Sequence, residues 1–377
     1  MRFVATADWQ LGMAANFLED DARPRFHQAR LDAVRAIAAI AREHEAAFVV
    51  VGGDVFESNQ LDRAIVARAC EALAEFTVPV VLVPGNHDPL DAASLYDSAA
   101  FASRVPPHVR VLRDSEPVEV VPGVEVVGAP WFSKRPLTDL VAGAYGPLGP
   151  APAGTTRVLV GHGAVSTLEP DQESAAVIDV PGLEAAIAEG RVHAAILGDR
   201  HSATEVATGI WYPGTPEVTA RREVDPGHVL VVEVDESDRS VAVTRVRTGR
   251  WAFATIVADL LDEADVEELA ATLAALPDKE RTAAWIKASG SLSTRAKARL
   301  DQVLDEARDL FARLDHWWRH YDLAVVPEEA EFTGLGLTGF AEAAVGELVA
   351  SARGDHEEAA VAQDALARLY QYTQALR

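Results

Sequence analysis

The sequence predicts an α/β fold for the first half of a chain of 377 residues. Short apolar runs such as AFVVVGG alternate there with longer stretches whose apolar residues recur at helical spacing. The apolar runs are continuous, which is typical of strands that are buried on both faces of a sheet. The pattern therefore predicts one large sheet or two central sheets covered by helices.

Six apolar runs are predicted strands, and the clearest helix lies between the first two. This helix covers residues 24–46, with Pro24 suited to its first turn and Val34, Ile37 and Ile40 at near-helical spacing. The predicted strands are RFVATA, AFVVVGG, VPVVLVPG, VEVVGAP, RVLVGH and HAAILGD.

The pattern changes after residue 203. The runs ATEVAT, IWYPG, HVLVVEV and VAVTRVRT predict consecutive strands with antiparallel pairing. From Trp251 onward the sequence predicts mainly helices, with AAWIKASG as a candidate strand and Ser293 as the N-cap of the next helix. DHWWRHY is also predicted to be helical, which would place His316 and His320 about one turn apart and give its tryptophans a packing or interface role. Residues 356–377 predict an amphipathic final helix.

Composition limits the class of protein. The chain has 58 acidic and 34 basic residues and a net charge of −24, which argues against holding nucleic acid by bulk electrostatics alone. No run of about 18 apolar residues predicts a membrane span, and MRFVATADWQ enters a strand with no secretory signal before it. The single cysteine, Cys70, is expected to be a small buried residue of a helix. These features favour a cytoplasmic protein that does not bind a membrane.

Polar motifs follow the apolar runs at five places within the first two hundred residues. Because strand ends of one sheet open onto one crevice, we expect the side chains of these motifs to meet. Carboxylates, amides and imidazoles are ligands of divalent cations, and a pair of such cations cleaves phosphate esters at neutral pH. The predicted ligands are Asp8, Gln10, Asp54, Asn86, His162, Asp199 and His201.

The order of these motifs, D-x-Q, G-D, G-N-H-D, G-H and G-x-x-H, resembles that of the calcineurin-like metallophosphoesterase superfamily. Within it, the chain is similar to SbcD-type DNA repair nucleases through TADWQLG, GGDVFES, VPGNHDP and WYPGTPE. The resemblance covers residues 1–250 well and the remainder only in outline. It implies a four-layer α/β/β/α sandwich over 1–248, a smaller α+β capping domain over 249–333, and C-terminal helices over 334–377.

The resemblance also implies a role for each motif residue. His87 would lie beside the scissile phosphate as an acid or a stabiliser of the transition state, and Asp88 would orient it. Asp54 would bridge two metal ions. One ion would be held by Asp8, Gln10 and His201, and the other by Asn86, His162 and Asp199.

Two positions depart from the usual pattern of the superfamily. Gln10 stands where a histidine is usual, and Asp199 replaces the first histidine of G-H-x-H. Both can ligate through oxygen, so each metal would contact one imidazole and the site would carry three carboxylates. We therefore expect two hard divalent ions, Mn²⁺ first and Mg²⁺ second, in preference to Zn²⁺. The alternative is a degenerate site that binds metal weakly or not at all.

Other residues carry weaker signals. Trp9 lies between two candidate ligands and is expected in the core, because alternate residues of an extended chain point in opposite directions. Arg200 is expected to form a salt bridge in preference to a phosphate contact. Glu57 either reaches the substrate or is solvated. A basic cluster either touches DNA phosphates or forms a solvated helix face; its members are Lys287, Arg295, Lys297 and Arg299.

The leading functional expectation is a metal-dependent DNA exonuclease, with endonuclease activity left open, acting as the nuclease subunit of an SbcCD-like repair complex. The resemblance implies three partners: DNA, an SbcC-like coiled-coil ATPase of the SMC type bound by the C-terminal helices, and a second copy in a homodimer. A phosphodiesterase of small nucleotides would use the same metals. A non-enzymatic scaffold with a decayed site is the third alternative, and only Gln10 and Asp199 support it.

Overall fold

The computed structural model describes residues 1–19, 21–168, 176–235, 237–325, 338–353 and 357–375. The chain divides into two compact units. Unit 1 comprises Met1–Asn16 and Arg23–Trp251, and unit 2 comprises Phe17–Ala22 and Ala252–Arg377. The predicted division at 248 and 333 into three parts stays a prediction.

Unit 1 contains twelve of the strands that the structure describes, with short helices between many of them. The helices are α1 (Ala22–Glu43), α2 (Arg63–Leu73), α3 (Ala99–Ala102), α4 (Leu140–Tyr145) and α5 (Val180–Ala188). The strands are β1 (Arg2–Thr6), β2 (Val49–Gly52), β3 (Val80–Val83), β4 (Val109–Val111), β5 (Val118–Val121), β6 (Val124–Gly128), β7 (Thr156–His162), β8 (Ala194–Gly198), β9 (Thr204–Ala207), β10 (Ile210–Tyr212), β11 (His228–Val234) and β12 (Val241–Arg247).

These strands form two six-stranded sheets. The first has the order β12-β11-β1-β2-β3-β4, and the second has the order β5-β6-β7-β8-β10-β9. The central strands of both sheets are parallel, whereas β11 joins β1 antiparallel. The predicted antiparallel pairing holds for β9 with β10 and for β11 with β12. The two pairs lie in different sheets, however, and β10 runs parallel to β8.

The buried residues of β2 show how the layers are stacked. Val50 belongs to the apolar cluster shared by the inner faces of the two sheets, and its neighbours Val49 and Val51 belong to a cluster shared with α1 and α2. On the other side, residues of the second sheet cluster with α4 and α5. Burying one such valine contributes about 1.5–3 kcal/mol. Unit 1 is therefore the predicted four-layer α/β/β/α sandwich.

Unit 2 corrects the prediction of a mainly helical second half. It contains a parallel sheet of three strands in the order β13-β14-β15, namely β13 (Ala252–Leu260), β14 (Thr282–Leu292) and β15 (Arg313–Val325). Of the three, the sequence predicted only β14, through AAWIKASG. Its described helices are α6 (Glu263–Ala275), α7 (Thr294–Arg308), α8 (Phe340–Ala352) and α9 (Glu357–Ala375).

DHWWRHY lies in β15 and not in a helix, so the expected one-turn spacing of His316 and His320 is wrong. A short run in which apolar and polar residues are mixed is compatible with a helix or a strand. Here the hydrogen-bonded pairing with β14 makes it a strand. The pairing steps from Ile286 opposite His316 to Ala288 opposite Tyr321. Residues 317–320 therefore face a single residue of β14 and form what we call the β15 bulge.

Helices α6 and α7 of unit 2 begin at polar caps. The Ser293 hydroxyl accepts from the amide of Ala296 at 3.2 Å, which confirms the predicted N-cap of α7. The Asp262 carboxylate accepts from Ala264 and Asp265 at the start of α6. Helix α9 contains most of the predicted final helix, of which residues 356, 376 and 377 lie outside the described residues. Among the described helices, none is both long and apolar enough to cross a bilayer.

The segment Phe17–Ala22 is part of unit 2, although it lies near the N-terminus of the chain. The Phe17 ring meets that of Phe253 edge to face at 5.2 Å and lies 5.8 Å from that of Trp285. Arg313 donates a hydrogen bond to the Phe17 carbonyl. The segment is thereby tied to all three strands of the unit 2 sheet.

Candidate metal centre

Several predicted ligands follow strand ends in unit 1 with unusual backbone angles. Asp8 comes two residues after β1, Asp54 two after β2, and Asp199 directly after β8, and their φ angles are 53°, 52° and 94°. Gln10 has a φ of 43°. Left-handed φ at a residue other than glycine costs about 1–3 kcal/mol and persists where surrounding contacts enforce it. Two such contacts are Asp8 N to Gly53 O at 3.1 Å and Gln10 N to Asp54 O at 2.9 Å.

Two glycines allow the ligands to lie close to the backbone. A Cβ atom added to Gly53, whose φ is 88°, would lie 2.2 Å from Nδ1 of His162. A Cβ atom added to Gly85 would lie 2.3 Å from Oδ1 of Asp54. Both distances are far below van der Waals contact, so these positions require glycine. The motifs GGD and PGN thus supply the space as well as the ligands.

His162 is the centre of one half of the site. Its Nδ1 lies 2.9 Å from the carbonyl of Gly52 and donates to it, which leaves Nε2 for the ligands. This Nε2 lies 2.7 Å from Oδ1 of Asn86, 3.6 Å from Oδ2 of Asp54 and 3.9 Å from Oδ1 of Asp199. The structure therefore brings these four predicted ligands together.

His201 is the centre of the other half. Its Nε2 lies 3.3 Å from Nε2 of Gln10 and 4.0 Å from Oδ1 of Asp8. The same Asp8 oxygen lies 3.9 Å from Nδ1 of His162, so the two halves join into one cluster. All seven predicted ligands belong to it. The assignment of these residues to two metal ions, with Asp54 as the bridge, stays a prediction.

Burial and like charge act together on this cluster. Asp8 is fully buried, and burial raises its pKa to about 6, although the two histidines counteract the shift. Burial alone would lower the pKa of His162, but the carboxylates of Asp54, Asp8 and Asp199 outweigh it and raise the pKa to about 9. Buried carboxylates held this close repel one another unless cations offset their charge.

The donor set fits divalent cations. Ligand atoms of Asp8, Asp54 and His162 all lie within 4.8 Å of one another, and all three side chains are buried. Asn86, Gln10 and Asp199 add oxygen atoms, and His201 adds a nitrogen. Oxygen-rich sites of this kind suit Mg²⁺ and Mn²⁺, and imidazole also suits Zn²⁺.

The two predicted catalytic residues lie beside the cluster. The His87 amide donates to Oδ1 of Asp54 at 2.9 Å, and the His87 side chain is 36 % exposed. Its Nδ1 lies 2.9 Å from the Glu57 carbonyl and 3.6 Å from the Glu57 carboxylate, so Glu57 contacts the imidazole.

Asp88 is fully buried and does not hold the imidazole directly. Its carboxylate accepts from the amides of Phe56 and Gly85 and from the hydroxyl of Tyr96, at 2.6–3.0 Å. Burial, followed by repulsion from Asp54, raises the pKa of Asp88 to about 6. Any effect of Asp88 on His87 therefore passes through the loop that carries both residues.

Sequence reasoning missed Glu223, which is bound to a predicted ligand. The Glu223 carboxylate lies 2.8 Å from Nδ1 of His201, and the Thr219 hydroxyl lies 2.6 Å from the same nitrogen. The carboxylate also accepts from the amides of Thr219 and Ala220 at 2.9 Å. A carboxylate in this position fixes the histidine tautomer and ring orientation and makes Nε2 a stronger ligand. Burial lowers the pKa of His201, but Glu223 and Asp8 outweigh it and raise the pKa.

Two further buried residues hold the first ligand loop. Arg30 donates to the carbonyls of Trp9, Glu217 and Val218. The hydroxyl of Thr215, in the WYPGTPE motif, donates to the carbonyl of Asp8 at 2.9 Å. Neither residue carried a sequence signal for this role, because each acts on backbone atoms that only the fold brings near.

The weaker sequence expectations have mixed outcomes. Trp9 is buried, as expected. The expected salt bridge of Arg200 is not found among the described residues; its Nε donates to the Thr204 hydroxyl at 2.9 Å. In the basic cluster, the charges of Arg295, Lys297 and Arg299 are paired with acidic residues of α6, α7 and α9, which favours a solvated helix face.

Comparison with known proteins identifies the family. The model of the calcineurin-like phosphoesterase family matches residues 1–217. The chain belongs to this family. The matched region contains all seven predicted ligands and His87, whereas Glu223 and most of unit 2 lie beyond it. The family supports metal-dependent hydrolysis of phosphoesters, and it confirms the superfamily assignment made from the motifs.

Similar solved structures are distant in sequence, and no curated protein gave a match. Protein TT1561 of Thermus thermophilus is 11 % identical over 65 % of this chain and 99 % of its own, with a TM-score of 0.40. A dimetal phosphatase from Danio rerio is 14 % identical over 66 % of this chain and 96 % of its own, with a TM-score of 0.41. GAP50, the anchor in the inner membrane complex of Plasmodium, is 10 % identical over 66 % of this chain and 84 % of its own, with a TM-score of 0.38.

Proposed function

We propose that the protein is a metal-dependent DNA nuclease, the nuclease subunit of an SbcCD-like complex. The observation that carries the hydrolase part is the ligand cluster around the buried Asp8, Asp54 and His162, with the partly exposed His87 beside it. Gln10 and Asp199, the two departures from the usual pattern, are members of that cluster, which weighs against a decayed scaffold.

The metal ligands, His87 and Asp54 have different roles in the proposed hydrolysis. The oxygen-rich donor set favours Mn²⁺ or Mg²⁺. When bound, these ions would polarise the phosphoryl group and supply a nucleophile at neutral pH. His87 has its Nδ1 engaged by Glu57, so Nε2 is the ring atom that can give a proton to the departing sugar oxygen. Asp54 holds the His87 amide and thus fixes the histidine relative to the ligands.

The β15 bulge supports a nucleic-acid substrate. Its Trp318 is 74 % exposed, and the Arg319 guanidinium lies 5.0 Å from the centre of the Trp318 ring. The Lys287 ammonium lies 4.3 Å from the Trp317 ring. Exposed aromatic rings with adjacent cations stack on bases and contact phosphates, and this combination can bind nucleic acid locally in a chain of net charge −24.

The runner-up is a phosphodiesterase that acts on a small nucleotide. A cavity of about 380 Å³ adjoins the site and is lined by Asp199 and His201, and its volume suits a small ligand. The metals and His87 would serve both substrates equally. The choice between the two functions therefore rests on the substrate and not on the chemistry.

The partner proposals rest on the sequence resemblance and on the C-terminal helices. Phe340 on α8 and Val361 on α9 are exposed apolar residues of the kind that a partner covers when helices dock into a groove. We propose that this region binds an SbcC-like coiled-coil ATPase, that the nuclease is a homodimer, and that it works in the cytoplasm.

The test is hydrolysis by the full chain with Mn²⁺, measured on linear duplex DNA, single-stranded DNA and bis-p-nitrophenyl phosphate. We expect DNA degradation that chelators abolish and that H87A lowers by about 10²–10⁴-fold, the usual contribution of a general acid. W318A is expected to weaken DNA degradation and leave hydrolysis of the small ester unchanged. H44A is the matched control, since His44 lies outside the cluster, and it should change nothing.

Each result has one reading. Hydrolysis of the small ester without DNA degradation would establish the small-nucleotide phosphodiesterase. No turnover and no bound metal would leave only the scaffold. DNA degradation that H87A leaves intact would show that another group protonates the leaving oxygen, and would reject the role proposed for His87.

A further inference from the structure

Two arginines line the cavity beside the candidate metal ligands. The cavity of about 380 Å³ has Asp199 and His201 in its wall, together with Arg200 and Arg222. Within the described residues neither arginine forms a salt bridge, although many other surface arginines of this acidic chain do. Two arginines in the wall of one cavity will attract an anion.

Arg200 is held in place but keeps hydrogen-bonding capacity. Its Nε donates to the Thr204 hydroxyl at 2.9 Å, and that hydroxyl in turn donates to the Ser202 carbonyl at 2.9 Å. The terminal nitrogens have no partner among the described residues. A guanidinium anchored at Nε still offers its two terminal amino groups to a phosphate.

The loop that carries Arg222 is fixed on both sides of that residue. Its neighbour Glu223 accepts from the amides of Thr219 and Ala220 at 2.9 Å, and the amide of Val224 donates to the Ser202 hydroxyl at 2.9 Å. The contact with Ser202 ties the Arg222 loop to the loop that carries Arg200. Both cations are therefore attached to a fixed backbone on one cavity wall.

Among the described residues, the carboxylates of the cavity wall are engaged elsewhere. Glu223 is engaged by His201, Thr219 and Ala220, and Asp199 lies 3.9 Å from His162 as a candidate metal ligand. The rest of the wall includes the apolar residues Ala164, Val165 and Leu168. The cavity thus combines an apolar surface with two available cations, at a volume suited to a small ligand or one unit of a polymer.

We propose that this cavity is a phosphate subsite, in which Arg200 and Arg222 bind a phosphate group of the substrate other than the one that is cleaved. The proposal rests on the proposed phosphodiesterase function, because it takes the scissile phosphate to lie at the adjacent metal ligands. It defines the substrate class as nucleotides with at least two phosphates. A nucleic-acid strand meets this condition at every internal position.

The test is calorimetric titration of the full chain, loaded with Mn²⁺, with thymidine 3′,5′-bisphosphate and with each thymidine monophosphate. We expect the bisphosphate to bind at least about tenfold more tightly than either monophosphate, since a second phosphate gains charge-assisted hydrogen bonds. R222Q and R200Q should remove most of this advantage and leave monophosphate binding unchanged, and R222K should restore part of it. R110Q, a charge-matched change on β4 outside the cavity wall, should behave as the wild type.

Mn²⁺ affinity, titrated on the same preparations, separates the subsite from the metal ligands. If R200Q loses Mn²⁺ affinity, its neighbours Asp199 and His201 have moved, and R222Q alone decides. Equal affinities for bisphosphate and monophosphates in the wild type, or a preference that survives R222Q, would overturn the proposal. A bisphosphate preference in a protein that degrades no DNA would retain the subsite and reject the nuclease, so the two failures are distinguishable.

Discussion

Parallel strands end in polar residues in both units, but the two units use these residues differently. In unit 2, Asp262 and Ser293 follow β13 and β14 at φ angles of −151° and −66°, and each accepts hydrogen bonds from the first amides of a helix. In unit 1, Asp8, Asp54 and Asp199 have φ angles of 53°, 52° and 94° and cap none of the described helices. Their carboxylates are close to one another and to His162.

The residues that cap helices in unit 2 stabilise the fold, whereas the aspartates at the strand ends of unit 1 lower its stability. An N-cap contributes about 1 kcal/mol of stability. Left-handed aspartates cost about 1–3 kcal/mol each, and burying several carboxylates together costs more. A strand end that is polar, strained and uncapped therefore indicates a site, whereas a polar strand end that caps a helix indicates only structure.

The largest expected effect comes from the aspartate at the end of β2. D54N should lower Mn²⁺ affinity by more than about 100-fold, beyond the range typical of residues that only support a ligand. The same change should raise the melting temperature of the metal-free protein, because it removes one of several carboxylates that repel one another. Calorimetric titration and thermal unfolding in chelator measure the two effects. Unchanged Mn²⁺ affinity would remove Asp54 from the metal centre.

The pH dependence of metal binding is the next largest effect. The metal-free protein holds a proton on His162, whose pKa is raised to about 9, and a metal ion must displace it. Affinity should therefore rise by almost tenfold per pH unit from about pH 7 to about pH 8 and level off above about pH 9. Below about pH 6, Asp8 is protonated as well, and the dependence should steepen. Titrations in buffers of different ionisation enthalpy count the protons released, and no release near neutral pH would contradict this.

Removal of the carboxylate behind His201 should have a smaller effect. E223Q should lower Mn²⁺ affinity by about 10–100-fold, the usual cost of losing a partner that orients a ligand. E217Q is the matched control, because Glu217 is a buried carboxylate that accepts from the amides of Val218, Arg250 and Trp251 and contacts no predicted ligand. It should lower stability and leave Mn²⁺ affinity unchanged. Equal loss of affinity in both variants would mean that Glu223 acts only through folding.

The smallest effect is expected at the capped strand end of unit 2. D262A should lower the free energy of unfolding by about 1 kcal/mol through loss of the α6 cap. Mn²⁺ affinity should remain that of the wild type. Urea unfolding monitored by circular dichroism measures the first quantity and calorimetry the second. A change in Mn²⁺ affinity would show that a residue that caps a helix in unit 2 also affects the metal centre, contrary to the difference proposed between the two units.

Most strands of unit 1, though not β4 and β5, and the meeting of its motif residues could be predicted from sequence because their signals are local. Continuous valine runs such as the one in β2 indicate buried strands, and the motif residue after such a run predicts a ligand. Which sheet a strand joins is decided by distant partners. The sequence could therefore not reveal that β10 and β11, neighbours along the chain, lie in different sheets.

The missed features depend on contacts between residues far apart in sequence. Glu223 lies 22 residues after His201, in a loop without a motif, and only the fold brings its carboxylate to the ring. In β15, His316 and His320 fit a helical spacing, and the bulge at residues 317–320 exists only because β14 pairs on both sides of it. Propensity alone cannot detect either arrangement.

The position of Phe17–Ala22 limits how this protein can be cut or recombined. A chain that stops at Trp251 would still contain Phe17. It would lack Phe253 and Trp285, the aromatic residues that the Phe17 ring contacts. That fragment would expose an aromatic side chain to water and invite aggregation. Exchange of the second unit between relatives would require replacement of two separate stretches of the gene at once, so the halves of the protein are expected to be inherited together.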